Sequence, residues 1–192
     1  MPDLPFPLHW LHDPGSFTDE DGALTIVAGA RTDMFRSPQG DEPTVNAPAL
    51  VGGASGDFTL SARVQVDFTA SFDAGALLLY LDTHTWAKLC FEVSPQGEAM
   101  VVSVVTRDVS DDANGFVLAG DTVWLRVAHV GSAYAFHASL DGETWSFVRH
   151  FAAAGELLVG FEAQSPTGDG CTVRFTDVRF EQRTLGDLRD GS

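Results

Sequence analysis

FTLSARVQVDF, residues 58–68, decides the fold. Phe58, Leu60, Ala62, Val64, Val66 and Phe68 are apolar, and Thr59, Ser61, Arg63, Gln65 and Asp67 between them are polar. Strict alternation sends every second side chain to the same face. That suits a β-strand with one face buried and one wet, whereas a helix needs apolar residues three and four apart. Outward from this stretch, runs of the same texture recur at 23–28, 75–82, 86–93, 99–107, 122–130, 134–140, 145–151, 157–163 and 171–180. Turn formers separate them: Pro95-Gln96-Gly97, Gly120-Asp121, Gly131-Ser132, Asp141-Gly142 and segment 166–170. No proline interrupts a run, as a hydrogen-bonded ladder requires. The one helix-like stretch, FAAAGELL at 151–158, is broken by Gly155. Many short strands without alternating helices predict an all-β sandwich of two antiparallel sheets. In the last run the inward set Cys171, Val173, Phe175 gives way to Val178 and Phe180, so a β-bulge is expected near Asp177.

The chain has 192 residues, with 11 basic and 27 acidic side chains and a formal charge of −16. This length fits a single sandwich domain over 1–183, followed by a polar tail at 184–192 that is expected to fray. The charge argues against nucleic acid and anionic membrane surfaces, both of which are bound through Lys and Arg. Cys90 and Cys171 form no CxxC or Cys/His cluster, so neither a zinc site nor a disulfide framework is expected. Residues 1–10 lack a basic segment followed by an apolar one, and no window approaches 18 apolar residues. A cytoplasmic location is the expectation.

Parity also selects candidate site residues. Trp86, Lys88 and Glu92 share one face of their run, opposite Leu89, Phe91 and Val93. Arg126, His137, Glu162 and Gln164 likewise oppose apolar neighbours. If these strands are adjacent, one concave face carries Trp86, Lys88, Glu92, Arg126, His137, Glu162 and Gln164. An indole plate among fixed donors and acceptors suits a sugar ring. The alternative is an ordinary wet sheet face whose charges pair across strands. Glu92 and Glu162 are the best carboxylate pair for glycoside hydrolysis, but the Glu-x-Asp-x-x-Glu run of jelly-roll glucanases is missing. SLDGETW at 139–145 reads as a hairpin turn. The acidic clusters Asp19-Glu20-Asp21 and Asp108, Asp111, Asp112 offer the oxygens that Ca²⁺ takes, without EF-hand spacing. No metal or cofactor is therefore expected, with structural Ca²⁺ as the alternative. Cys90 shares the parity of Lys88, which would expose its thiol, with His137 as its only plausible partner. Nucleophile-elbow, phosphate-loop and His-Glu-x-x-His patterns are absent.

Several segments together resemble a known family. They are FDAGALLLYLDTHTWAKLCFEV, SVVTRDVSDD, VWLRVAHVGSAYAFHASLDGETWSFVR, VGFEAQSPTGDGCTVRFTDV and RTDMFR. Thr32-Asp33 with Arg36, the Asp73-Ala74-Gly75 turn, Trp86-x-Lys88-x-x-x-Glu92, Ser139-x-Asp141-Gly142-x-x-Trp145 and Ser165-Pro166 are the most specific pieces. The chain is similar in these to domain-of-unknown-function family 1349, the regulation-of-enolase-protein-like family. It departs from that pattern at Phe72-Asp73-Ala74-Gly75, near Cys90 and at Ser110-Asp111-Asp112-Ala113. The resemblance implies a concanavalin A-like jelly roll, and it adds Asp33 and Arg36 to the candidate binding residues. An Asx turn or an ion pair with Arg36 is the plainer role for Asp33. By fold analogy the leading expectation is a non-catalytic protein that binds a carbohydrate or sugar-like small molecule. A regulatory module steered to a protein partner by its acidic surface is one alternative. A glycoside hydrolase using Glu92 and Glu162 is the other. The proline-bearing segment 36–56 reads as a long loop or a loop plus a short strand, and whether it covers the concave face is left open by the sequence.

Overall fold

The computed structural model describes residues 1–192. The chain forms sixteen strands and no helix: β1 (His9–His12), β2 (Ser16–Glu20), β3 (Ala23–Gly29), β4 (Met34–Phe35), β5 (Thr44–Val45), β6 (Ala49–Gly53), β7 (Phe58–Asp67), β8 (Ala74–Asp82), β9 (Thr85–Val93), β10 (Ala99–Arg107), β11 (Val109–Val117), β12 (Thr122–Val130), β13 (Ala133–Ser139), β14 (Ser146–Ala152), β15 (Leu158–Gln164) and β16 (Gly170–Glu181). A front sheet runs β1-β6-β15-β8-β9-β10-β11, and a back sheet runs β14-β13-β12-β7-β16-β3-β2. The pairings are antiparallel, and β4 and β5 make a separate two-stranded flap. No helix is long and apolar enough to cross a membrane.

The alternation in β7 has the expected consequence. Phe58, Leu60, Ala62, Val64 and Val66 lie in a 30-residue core between the sheets. They meet Leu77, Leu79, Leu89, Phe91 and Phe161 from the front sheet. Gly75 is required where β8 enters the sandwich: a Cβ there would stand 2.4 Å from Val173 and 2.8 Å from Val64. The bulge near Asp177 is present. Asp177 takes a positive φ of 49°, and the β16–β7 register shifts between Thr176 and Arg179.

Two local readings are resolved and one is corrected. FAAAGELL makes no helix; its first residues finish β14, and Gly155 turns the chain at φ 86°. Of the two readings of segment 36–56, loop plus strand holds: β5 and β6 lie within it, and β6 is an integral front-sheet strand. The 184–192 tail is docked rather than frayed. Leu185 is buried, and the Leu188 and Gly191 carbonyls accept hydrogen bonds from His137 Nε2 and Arg126 Nη2, both at 2.8 Å. Those two donors leave the back sheet on its outer face, where the tail carbonyls answer them.

Candidate functional site

The outer face of the front sheet is built around β8. Across it, Gln164, Ala74 and Glu92 lie in one row, and Glu162, Ala76 and Cys90 in the next. The alanines on β8 are small, so the longer side chains of β9 and β15 approach one another over them. Lys88 uses this space. It is 2% exposed, and its Nζ donates to Asp33 Oδ1 at 3.2 Å and to Gln164 Oε1. A buried ammonium held by a carboxylate and an amide is a satisfied charge.

Asp33 reaches this position because the chain before the flap is tied down. The Thr32 and Ser165 backbones exchange hydrogen bonds of 3.2 Å. Ser165 Oγ donates to Asp73 Oδ1 at 2.6 Å. The other oxygen of Asp73 accepts from Thr69 N, Thr69 Oγ1 and Ala70 N at 2.8, 2.8 and 2.9 Å. This buried knot fixes the start of β8, the end of β15 and the approach to Asp33 together. Phe72 sits beside it with φ 70°, a left-handed conformation that a bulky residue adopts only under constraint. Its N donates to Val93 O at 2.7 Å, and its O accepts from Gln164 Nε2 at 3.1 Å. The half-exposed Phe72 ring therefore stands at the rim of the face.

These elements enclose a cavity of about 320 Å³. Lys88, Glu92, Gln164 and the apolar Met100, Val102 and Val104 line it from the sheet. Asp33 and Phe35 line it from the flap side, Phe72 and Pro166 from adjacent loops, the 94–96 turn from one end, and Asp112 and Asn114 from β11. Burial pushes the Glu92 carboxyl up to about 8. Lys88 opposes this, while Asp33, Glu162 and Asp112 reinforce it. Burial likewise pushes Glu162 up to about 7, against the pull of Lys88. Burial alone would lower Lys88, but Asp33, Glu162 and the neighbouring acids outweigh it and hold the ammonium well above its ordinary range. At neutral pH the charged pair is thus Lys88 with Asp33, and Glu92 and Glu162 retain protons to a large extent. Neither oxygen of Glu162 has a hydrogen-bond partner, although the residue is 0% exposed.

Of the residues expected to share one face, Lys88, Glu92, Glu162, Gln164 and Asp33 do converge. The others do not. Trp86 is on this face, but Met34, Ala47, Ala49 and Val51 pack over it and leave it 1% exposed, so it cannot stack on a ligand. Arg126 and His137 belong to β12 and β13 of the back sheet and point away from the sandwich on its far side. Arg126 lies 4.2 Å from the Trp145 ring centroid beneath the docked tail. Burial, with Arg126 adding to it, depresses His137 to about 4. Arg36 makes no ion pair with Asp33. Its Nε donates to Asp108 O at 2.6 Å and its backbone N to Ser110 Oγ at 3.0 Å, which fastens the flap to the β10–β11 end.

Cys90 is buried rather than exposed, and burial drives its thiol well above the ordinary range, so it is no nucleophile. His137, on the other sheet, cannot activate it. Glu162 does not line the cavity, so the two carboxyls do not flank a common ligand. In the 139–145 segment, Asp141 Oδ1 accepts from Ser139 Oγ, Glu143 N and Thr144 N at 2.7–2.8 Å, which is a turn. Asp108 faces His84 and Asp111 faces Arg149, and no three His, Cys, Asp or Glu side chains converge to hold a metal ion. Asp112, Asn114, Phe35 and Phe72 were not anticipated as cavity residues. Their sequence signals are the clustering of Asp111 and Asp112 and the places of Phe35 and Phe72 in the family-like segments RTDMFR and FDAGALLLYLDTHTWAKLCFEV.

Comparison with known proteins agrees with the architecture. Residues 10–183 match the family described as protein of unknown function, DUF1349. Regulation of enolase protein 1 of Saccharomyces cerevisiae is 31% identical over 173 residues, which is 88% of this chain and 86% of that protein. A solved structure of a functionally unknown protein from Saccharomyces cerevisiae superimposes with a TM-score of 0.85 at 27% identity, covering 93% of this chain and 97% of that one. A xylan β-1,4-xylosidase from Bacillus halodurans C-125 superimposes with a TM-score of 0.71 at 14% identity, over 94% of this chain and 41% of that enzyme. That likeness is one of fold.

Proposed function

We propose that this chain, which belongs to the DUF1349 family, is a non-catalytic protein that binds a polyhydroxylated small molecule, such as a carbohydrate, in the front-sheet cavity. One observation carries the reading: a fixed ammonium, a carboxyl and a carboxamide (Lys88, Glu92 and Gln164) line an open-sided cavity of about 320 Å³ between apolar walls. Pockets for small polar ligands combine apolar surface with a few oriented donors and acceptors. Here Lys88 and Gln164 are locked by each other, by Asp33 and by the Phe72 carbonyl, so they meet a ligand without reorganising. The aromatic wall is Phe72 and Phe35 instead of Trp86.

The binding reading is preferred to hydrolysis because only one carboxyl of the Glu92–Glu162 pair lines the cavity. Titration calorimetry with a panel of mono- and disaccharides tests it, with Asn114→Trp as the blocking variant. Asn114 is exposed on the edge strand, so the indole fills the cavity mouth without touching the buried charges. Saccharide binding that Asn114→Trp weakens at least ~tenfold is expected, a loss of about 1.4 kcal/mol. No binding across the panel, or binding that the variant leaves intact, would overturn the assignment.

A further inference from the structure

We infer that the cavity selects a ligand bearing a protonated amine, held at Glu92 with Asp112 adding its charge from β11, over neutral and acidic ligands of the same shape. This rests on the binding site proposed above and names the charge class of its occupant.

The inference starts from which charges the protein has already used. Lys88 is the one cation among the lining residues, and it is committed to Asp33 and Gln164. Arg36, on the flap, is spent on the Asp108 and Thr83 carbonyls. Arg149 is paired with Asp111, the β11 residue adjacent to Asp112. Lys88 keeps a third N–H for a ligand, but its charge is already answered by Asp33, so the lining offers a carboxylate or phosphate no uncompensated cation. In contrast, Glu92 and Asp112 line the cavity and take part in no ion pair. They enter from different strands, β9 and β11, and four residues out of register: Glu92 lies in the row of Met100 and Asp112 in the row of Val104, with Val102 between those rows. Two unpaired acids across an apolar strip, under an aromatic rim, match an ammonium on a carbon skeleton. A compact divalent ion is a poorer match, because no three acidic, His or Cys side chains converge here.

The surroundings of Glu92 define how binding couples to protons. Lys88 and Cys90 neighbour it on β9, Asp33 faces it from the flap side, Glu162 from β15 and Asp112 from β11. Its row neighbours, Ala74 on β8 and Met100 on β10, carry no charge. Of these groups only Lys88 favours the carboxylate, so the free protein holds a proton on Glu92 at neutral pH. An arriving ammonium adds a second positive charge, and Glu92 gives its proton to the buffer. Binding of an amine thus releases up to one proton near pH 7, and binding of a neutral ligand releases none.

Glucosamine, glucose and glucuronate present the three charge classes on one ring. Calorimetry at pH 6.5, in two buffers of different ionisation enthalpy, reads both affinity and proton release. Glucosamine binding at least ~tenfold tighter than glucose, with proton release and with glucuronate weakest, is the expected result. Glu92→Gln should remove the proton release and bring glucosamine and glucose within about threefold. Asp112→Asn, on the exposed edge strand, should narrow the glucosamine–glucose gap without a buried change, while proton release from Glu92 persists. Glucose binding as tightly as glucosamine, or glucuronate binding tightest, would overturn the amine inference and leave the binding site standing. Absence of binding for all three rings and for the wider saccharide panel would overturn both.

Discussion

Lys88 is the residue on which the site turns. It is a full positive charge on a strand whose other face is Leu89 and Phe91, and it is tolerated because Asp33 and Gln164 receive it. Replacing one member of such a pair with hydrocarbon leaves the other charges uncompensated, at a cost of roughly 3–5 kcal/mol. Lys88→Met is therefore expected to be strongly destabilised at neutral pH. The pH dependence has a definite sign. Glu92 and Glu162 have folded-state values of about 8 and about 7, above their unfolded values near the ordinary 4.5. The native state thus binds more protons than the unfolded state between those limits, so this stabilising contribution is complete at low pH and is lost as pH rises through 7 and 8. Without the ammonium both carboxyls move further up. The melting-temperature deficit of Lys88→Met relative to wild type should then be larger at pH 8 than at pH 5.5. A deficit equal at both pH values in thermal melts would mean that Lys88 acts through packing alone. Much of this was readable in the residues: period-two parity on the strands now identified as β9 and β15 was sufficient to place Lys88, Glu92, Glu162 and Gln164 on one type of face. It could not show that Trp86 would be roofed over, because Met34 and Ala47 come from the flap, far away in sequence.

At the scale of elements, two segments decide what is open. The flap of β4 and β5 closes over Trp86 and carries Phe35 to the cavity. The 184–192 tail closes the outer face of the back sheet over Arg126 and His137. Removing residues 184–192 forfeits the burial of Leu185 and three hydrogen bonds to the body of the sandwich, roughly 4 kcal/mol. A drop in melting temperature of about 8–16 °C is expected. The same truncation should rehydrate His137 and raise its titration from about 4 toward the ordinary 6.5, which imidazole NMR signals report. An imidazole still titrating near 4 would assign the depression to the sheet and to Arg126 instead of the tail. Elements with one wet and one buried face were legible from alternation. β11 was not, because an edge strand exposed along most of its length reads as the polar run VSDDANGFV. β6, which is buried on both faces and ends in two glycines, carries no alternation, so its segment reads only as loop or as loop plus a short strand. The tail reads as disordered by composition, since its docking rests on backbone carbonyls that any sequence possesses.

For the whole molecule, strong alternation in many strands was enough to require two sheets with a shared core. What alternation lacks is any record of which strands become neighbours. Arg126 and His137 have the parity expected of them and the other sheet's address, because long-range pairing leaves no local mark on the chain. The sandwich consequently has two unlike outer faces. One is covered by the tail over Arg126 and His137, and the other holds the cavity framed by Lys88, Glu92 and Gln164. The acidic surface, at −16 overall, suits a cationic visitor to that second face. Backbone amide and side-chain NMR shifts during titration with glucosamine test the assignment most directly. Perturbations confined to Phe72, Glu92, Gln164, Asp112 and their strand neighbours are expected; perturbations centred on Arg126, His137 and Trp145 instead, or none at saturating sugar, would contradict it.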